Sequence, residues 1–191
     1  IPHTGLMWLQ PEPLVMSETQ TATFGGGCFW CVEAALEQLD GVESVTSGYA
    51  GGRVEDPTYE AVCSGETDHA EVVQLEYDPD TVDYGTLLEA FFTIHDPTQL
   101  NRQSQDVGSQ YRSIVVSHDD DQHEQARAYI DALDDEYEDD VVTELEPLET
   151  FYEAEAYHQD YFEKNPNDAY CTFHAQPKME KVREKFERKT A

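Results

Sequence analysis

Basic residues are scarce in this chain. Its 191 residues include 11 Lys and Arg against 41 Asp and Glu, a formal net charge of −30 at pH 7. Nucleic acid is therefore excluded as a partner, because binding phosphates needs cations that displace counterions. An anionic membrane surface is excluded on the same ground. Long apolar runs are missing too: none approaches the ~20 residues that span a bilayer, and no basic segment leads into an apolar one as in a secretory signal. The chain reads as soluble and cytoplasmic, not secreted. Self-repulsion of this size destabilises a compact state at low salt, so the composition points to a halophilic, high-salt cytoplasm. Disorder is argued against by regular apolar patterning and by 11 Tyr and 8 Phe, which supply core and pocket material.

Length suits one domain. Residues 1–16 hold four prolines or glycines and no periodicity, and Met16-Ser17-Glu18 resembles a start. They read as an extension outside the fold, leaving 17–191 as a single catalytic domain. Within it, Thr21–Gly26 reads as a strand ending in three glycines. Val32, Ala35, Leu36 and Leu39 recur at helical spacing from Cys28 until Asp40-Gly41. Further strands are expected at 42–49, 71–77, 111–117 and 141–148, with helices at 84–95 and 120–136 and a polar loop at 96–109. Beyond Leu148 come aromatic-rich loops and short helices, then a mixed-charge helix near 178–188; this tail carries seven of the eleven basic residues. Strands alternating with helices imply an α/β or α+β domain, a sheet with helices against it.

Cysteine is used sparingly, at Cys28, Cys31, Cys63 and Cys171. A chain this long needs no disulfide staples, which favours redox or metal chemistry. In Phe24-Gly-Gly-Gly-Cys28-Phe29-Trp30-Cys31 the glycines allow a sharp turn and close approach of backbone to ligand. Cys28 then falls in the first turn of a helix, where free amides and the dipole are expected to lower its pKa and make it a nucleophile. Phe29 and Trp30 suit the walls of an apolar slot.

Gly-Cys28-Phe29-Trp30 with Glu33-Ala34 resembles the peptide methionine sulfoxide reductase A family. Further blocks agree in order: Ser47–Gly52, Pro57–Gly65, His69–Val73, Tyr77–Pro79, Gln103–Ser113, Tyr157–Tyr161 and Asn165-Pro166. The resemblance covers about residues 21–186. It implies an α+β two-layer fold with a ferredoxin-like mixed sheet and a long irregular C-terminal tail. It also implies reduction of methionine S-sulfoxide, protein-bound or free, with thioredoxin as reductant and neither metal nor other cofactor, in a monomer. Cys28 matches the nucleophile and Glu71 the buried acid. Tyr59, Asp106 and Tyr111 match the polar groups around the sulfoxide oxygen, and Phe29 and Trp30 match the S-methyl pocket. The chemistry asks for these types: a sulfoxide oxygen leaves only if protonated, and a carboxyl in an apolar pocket keeps its proton near neutral pH. The sulfenic acid left on Cys28 condenses with a second thiol. Cys31 is the nearer candidate and Cys171 the alternative, with a relay through both also open; Cys171 would need the tail to swing over the pocket. One departure is Asp68, where the family commonly has glycine, which raises the question of how the loop before Glu71 is held.

Two other chemistries compete. Cys28-x-x-Cys31 with Cys171-x-x-His174 has zinc-ligand spacing, and C-x-x-C at a helix start suits a general dithiol–disulfide oxidoreductase. A binding module for methionine-rich partners is the non-catalytic alternative. His95, His158 and Arg102 read as structural hydrogen-bonders, and Cys63 as a buried, inert residue of a helical run.

Overall fold

A computed structural model describes residues 18–186. The expected extension and the end of the last helix, residues 187 and 188, lie outside the described residues. Among the described residues there are eight strands: β1 Gln20–Gly25, β2 Val42–Ala50, β3 Ala70–Tyr77, β4 Arg102–Gln103, β5 Asp106–Val107, β6 Ile114–Ser117, β7 Glu144–Pro147 and β8 Tyr152–Glu153. The α-helices are α1 Phe29–Leu36, α2 Tyr59–Cys63, α3 Tyr84–Thr93, α4 Asp120–Leu133, α5 Tyr161–Lys164 and α6 Gln176–Lys185.

Six strands form one mixed sheet in the order β7-β6-β1-β3-β2-β8, antiparallel except for the parallel β6–β7 pair. Its centre, β6-β1-β3-β2 with α1 and α3 as crossovers, has the ferredoxin-like β-α-β-β-α-β connectivity. Alternation along β3 sets the two faces. Ala70 and Val72 join Ala50, Ile114 and Val116 in a small cluster on one side. Val73, Leu75 and Tyr77 face the helices, where they pack with Phe24, Leu36, Leu87 and Phe91. Each such large side chain, fully buried, contributes roughly 1.5–3 kcal/mol. Glu71 has the parity of Val73 and Leu75 and so points into the same layer.

The helix starts differ in a way that matters below. Asp83 accepts from the Thr86 amide at 2.8 Å, Asp119 from Gln122 at 2.8 Å, and Thr58 from Ala61 at 3.2 Å. These side-chain caps satisfy open amides and are each worth about 1 kcal/mol. Cys28, at the cap position of α1, makes no such bond. The Phe29 amide, the first of the turn, is left for a partner outside the helix.

Several expected boundaries shift. The helix from Cys28 ends at Leu36, the helix from Asp120 at Leu133, and the strand near 141–148 keeps only its middle. The polar loop contains the β4–β5 hairpin. Tyr111 belongs to a 3₁₀ turn, Ser109–Tyr111, so β6 starts three residues later than expected. The tail adds the short edge strand β8, and a π-helical turn, Cys171–Ala175, runs into α6. No helix among the described residues is long and apolar enough to cross a membrane.

Candidate active site

The glycine run places Cys28. At Gly25 a Cβ would lie 2.5 Å from the Glu71 carbonyl oxygen, so only glycine lets β1 approach β3 this closely. Gly27 has φ +85°, and its amide donates to the Tyr111 carbonyl at 3.1 Å, which ties the turn to the 3₁₀ segment. Cys28 emerges at the start of α1 and is buried. Burial, the hydrogen bond to Cys31 and the charge of Glu71 push its thiol well up, while the Trp30 amide pulls the other way. The expectation that the helix start lowers this pKa is therefore corrected: desolvation outweighs the amides. The lowered thiol is Cys31, which accepts from Cys28 against the opposing effect of burial and is helped by the Lys178 ammonium.

Glu71 lies in the middle of the sheet, paired across to Tyr49, and is buried. Its Oε1 accepts from the free Phe29 amide at 3.2 Å. Oε2 is buried and has no hydrogen-bond partner. Burial raises its pKa to about 8 against the Phe29 bond, with smaller pushes from Asp106 and Cys31. The carboxyl thus keeps a proton at neutral pH and presents it on an oxygen that nothing else uses.

Tyr59, at the start of α2, and Tyr111 both feel the Glu71 charge, and burial raises both phenols well above their usual range. They stay protonated donors. Asp106 accepts from the Tyr170 hydroxyl at 2.6 Å, and that hydroxyl lies 4.0 Å from Cys31 Sγ. Asp106 thus reaches the thiol pair through Tyr170. The Trp30 indole N–H donates to His158 Nδ1 at 3.0 Å, and its ring stacks on Tyr161 at 3.7 Å and 7°. Phe29 is buried against Tyr49 and His158, while Trp30 is only partly buried. Of the two aromatics, Trp30 offers the exposed wall. Tyr170, Tyr161 and the ring position of His158 are absent from the sequence-based site. The Tyr157–Tyr161 block was the available signal, and Tyr170 stands directly before Cys171.

The remaining cysteines divide. Cys171 is buried in the π-helical turn against α1, and its thiol, raised to about 11 by burial and Asp168, feels the charge of Cys31. It packs in the same core cluster as Cys28 and Cys31, so the tail already holds it near the pair. Cys63 is exposed at the end of α2, which corrects the buried reading.

Asp68 answers the question its sequence position raised. It adopts the left-handed region at φ +60°, where glycine is easiest and Asp is tolerated. Arg53 pairs with its carboxylate, and Arg112 donates to its carbonyl at 2.9 Å. His69, next in the chain, accepts from the Gly52 amide at 3.0 Å and lies 2.7 Å from the Val54 carbonyl, so β3 starts from a braced loop. His95 bridges the Phe91 carbonyl and Ser113, and its burial lowers its pKa to about 4; Arg102 donates to the Ser104 carbonyl. Both are structural, as expected. The zinc-ligand spacing does not close in space: His174 is hydrogen-bonded to Gln105. Among the described residues the one convergent ligand-type group is Glu33, Glu37 and Asp160.

Two buried cysteines at a helix start, with a buried protonated carboxyl and protonated tyrosines around them, define a thiol-based oxidoreductase on a ferredoxin-like α+β frame. The family profile described as peptide methionine sulfoxide reductase matches residues 20–190. A relative named peptide methionine sulfoxide reductase MsrA from Natronomonas pharaonis is 72% identical over 173 residues, covering 90% of this chain and 97% of its own. The reduced form of Mxr1 from Saccharomyces cerevisiae superimposes with a TM-score of 0.77 at 36% identity, covering 82% of this chain and 91% of that one. The same yeast protein solved in complex with Trx2 shares the fold, at TM-score 0.55 and 24% identity over 81% and 91% of the two chains. The chain belongs to the peptide methionine sulfoxide reductase family.

Proposed function

We propose that this peptide methionine sulfoxide reductase works through Cys28 as nucleophile and Glu71 as acid, on the S epimer of methionine sulfoxide, free or within oxidised proteins. The substrate methyl group rests against Trp30 and Phe29. Its oxygen meets Glu71 Oε2 and the hydroxyls of Tyr59 and Tyr111, which stabilise developing charge as an oxyanion site does. Cys28 attacks the sulfur, Glu71 gives its proton to the oxygen and recovers one from the Cys28 thiol, and methionine leaves while Cys28 keeps the hydroxyl as a sulfenic acid. A second thiol, Cys31 or Cys171, then forms a disulfide with Cys28 and releases water. Thioredoxin restores the thiols by disulfide exchange; the Trx2 complex of yeast Mxr1 supports that choice of donor. Asp106 orients Tyr170 at the rim. No metal or organic cofactor takes part in this scheme. The unit that acts is a cytoplasmic monomer with one catalytic domain, residues 17–191, preceded by the extension 1–16.

The observation that carries this reading is the buried, unpartnered Oε2 of a carboxyl protonated at neutral pH, one residue contact away from Cys28. The test is Cys28→Ser with dithiothreitol as reductant. Wild type should reduce the S epimer and leave the R epimer, and Cys28→Ser should lose that reduction while the fold is kept; normal turnover ends this reading.

A further inference from the structure

Arg112 is the only Lys or Arg among the described residues that is buried, and its side chain is 10% exposed. A charge removed from water is costly unless its donors are used. Here the guanidinium reaches four partners on four segments. Nε donates to Glu144 Oε2 of β7 at 2.9 Å, and Nη1 donates to the Ser109 carbonyl at 2.9 Å. Nη2 donates to the Asp68 carbonyl at 2.9 Å and to the Gly51 carbonyl at 3.5 Å. One carboxylate balances the charge; the other three partners are backbone. Ser109 opens the 3₁₀ turn that carries Tyr111, and the Tyr111 carbonyl takes the Gly27 amide from the other side. Gly51 and Asp68 lie just beyond Ala50 and Ala70, the last paired residues of β2 and β3 at that end, next to the Tyr49–Glu71 pair. Gly51 has φ +82°, and a Cβ there would lie 3.1 Å from Nη2, so the backbone makes room for the guanidinium. Glu71 and Tyr111 thus belong to separate segments that meet at one side chain.

We propose that Arg112 is a positioning residue for sulfoxide reduction: its fork ties the turn bearing Tyr111 to the strand end bearing Glu71, so that both side chains meet one sulfoxide oxygen. The idea rests on Glu71 and Tyr111 as the partners of that oxygen. Shape matters here more than charge. A guanidinium carries its five N–H donors in one rigid plane and can span a carboxylate and three carbonyls at once. An ammonium offers three donors from a single point on a flexible stem and cannot. Arg112 itself stays away from the reacting atoms and acts through the placement of Tyr111. Arg53 reaches the same loop from solvent, through the Asp68 carboxylate, with side chains 78% and 51% exposed. An ion pair so exposed holds little in place. The loop before Glu71 is therefore set from the buried side, by the residue that also holds the Tyr111 turn.

The test measures single-turnover reduction of methionine S-sulfoxide against substrate concentration, in the full-length protein at molar KCl. The variants are Arg112→Lys, Arg112→Met, Tyr111→Phe and the double variant Arg112→Lys with Tyr111→Phe; Arg53→Gln is the control. Displacing a reacting group by about 1 Å costs on the order of 10²-fold. The limiting rate should fall about tenfold in Arg112→Lys and about 10²-fold in Arg112→Met. Half-saturation should change less than about twofold, since the loss lies in the transition state. Arg53→Gln should keep the wild-type rate. Once Tyr111→Phe has removed the hydroxyl, adding Arg112→Lys should cost no more than about twofold. A side chain that served stability alone would lower the folded fraction and multiply its loss onto either background. A limiting rate within about twofold of wild type in Arg112→Lys, or losses that multiply in the double variant, overturns the proposal. Arg112→Lys carries the decision should Arg112→Met fail to fold. If Tyr111→Phe itself reacts at the wild-type rate, the reading of Tyr111 at the oxygen fails instead.

Discussion

Replacing Glu71 with glutamine separates the role of this side chain in chemistry from its role in stability. The substitution keeps shape and keeps an oxygen to accept from the Phe29 amide, the bond of 3.2 Å in the native site. It removes only the transferable proton. A carboxyl that titrates at about 8 instead of 4.5 prefers its neutral form by roughly 5 kcal/mol. In the unfolded chain the same group ionises near its ordinary value. The folded state therefore binds this proton more tightly, and stability falls as pH rises from about 4.5 to about 8, then levels. At pH 7 that loss is roughly 3 kcal/mol before relaxation of the site. Glu71→Gln should be no less stable than wild type at pH 7 and should lose less stability between pH 5 and pH 9. Its single-turnover rate of Cys28 oxidation should nevertheless drop by ~10²-fold or more, with substrate binding little changed, because general acid catalysis is gone. The wild-type rate should itself decline as pH rises through about 8, where Glu71 loses its proton. The assays are rapid-quench reduction of methionine sulfoxide across pH and denaturant melts at the same pH values. A near-native rate in Glu71→Gln, or a wild-type rate flat through pH 8 to 10, would refute the assignment of the proton to this residue.

Two further outcomes are expected. Cys31 is one helical turn from Cys28, so its loop-closure cost is small; peptide mapping after one equivalent of sulfoxide should find Cys28–Cys31 before any bond to Cys171, and a Cys31→Ser enzyme that turns over normally with thioredoxin through a first-formed Cys28–Cys171 bond would make Cys31 a bystander. The net charge of −30 should make stability depend on salt, since screening shortens to ~3 Å at 1 M; from dilute buffer to molar KCl we expect Tm to rise by roughly 5–10 °C, equivalent to about 2–3 kcal/mol at this size, and a flat curve would deny the acidic surface that role.

Local pattern carried much of this molecule. The apolar spacing of Val32, Ala35 and Leu36, the alternation along β3 and the acidic start of α4 are short-range features, and each appears at its expected place. Their ends moved because termini are set by what packs over them. Tyr111 turned out of its strand, since the Gly27 amide holds its carbonyl from another segment. The blocks that resemble the reductase family are likewise linear and could be read in order. Cys28 and Glu71 were named that way, forty-odd positions apart.

What the sequence by itself determined is therefore the order of elements, the place of Cys28 at a helix start, and a strongly acidic composition. What only the tertiary structure decided is the protonation of the site. The rise of Cys28, the lowering of Cys31, the proton on Glu71 and the neutrality of His95 come from desolvation and from charges on β3, β5 and α6, far apart along the chain. The same holds for the exposure of Cys63, the nearness of Cys171 and the left-handed backbone of Asp68. A pKa depends on distance through space and on how much water is excluded, and neither quantity is written in residue spacing until the sheet and helices close around the site.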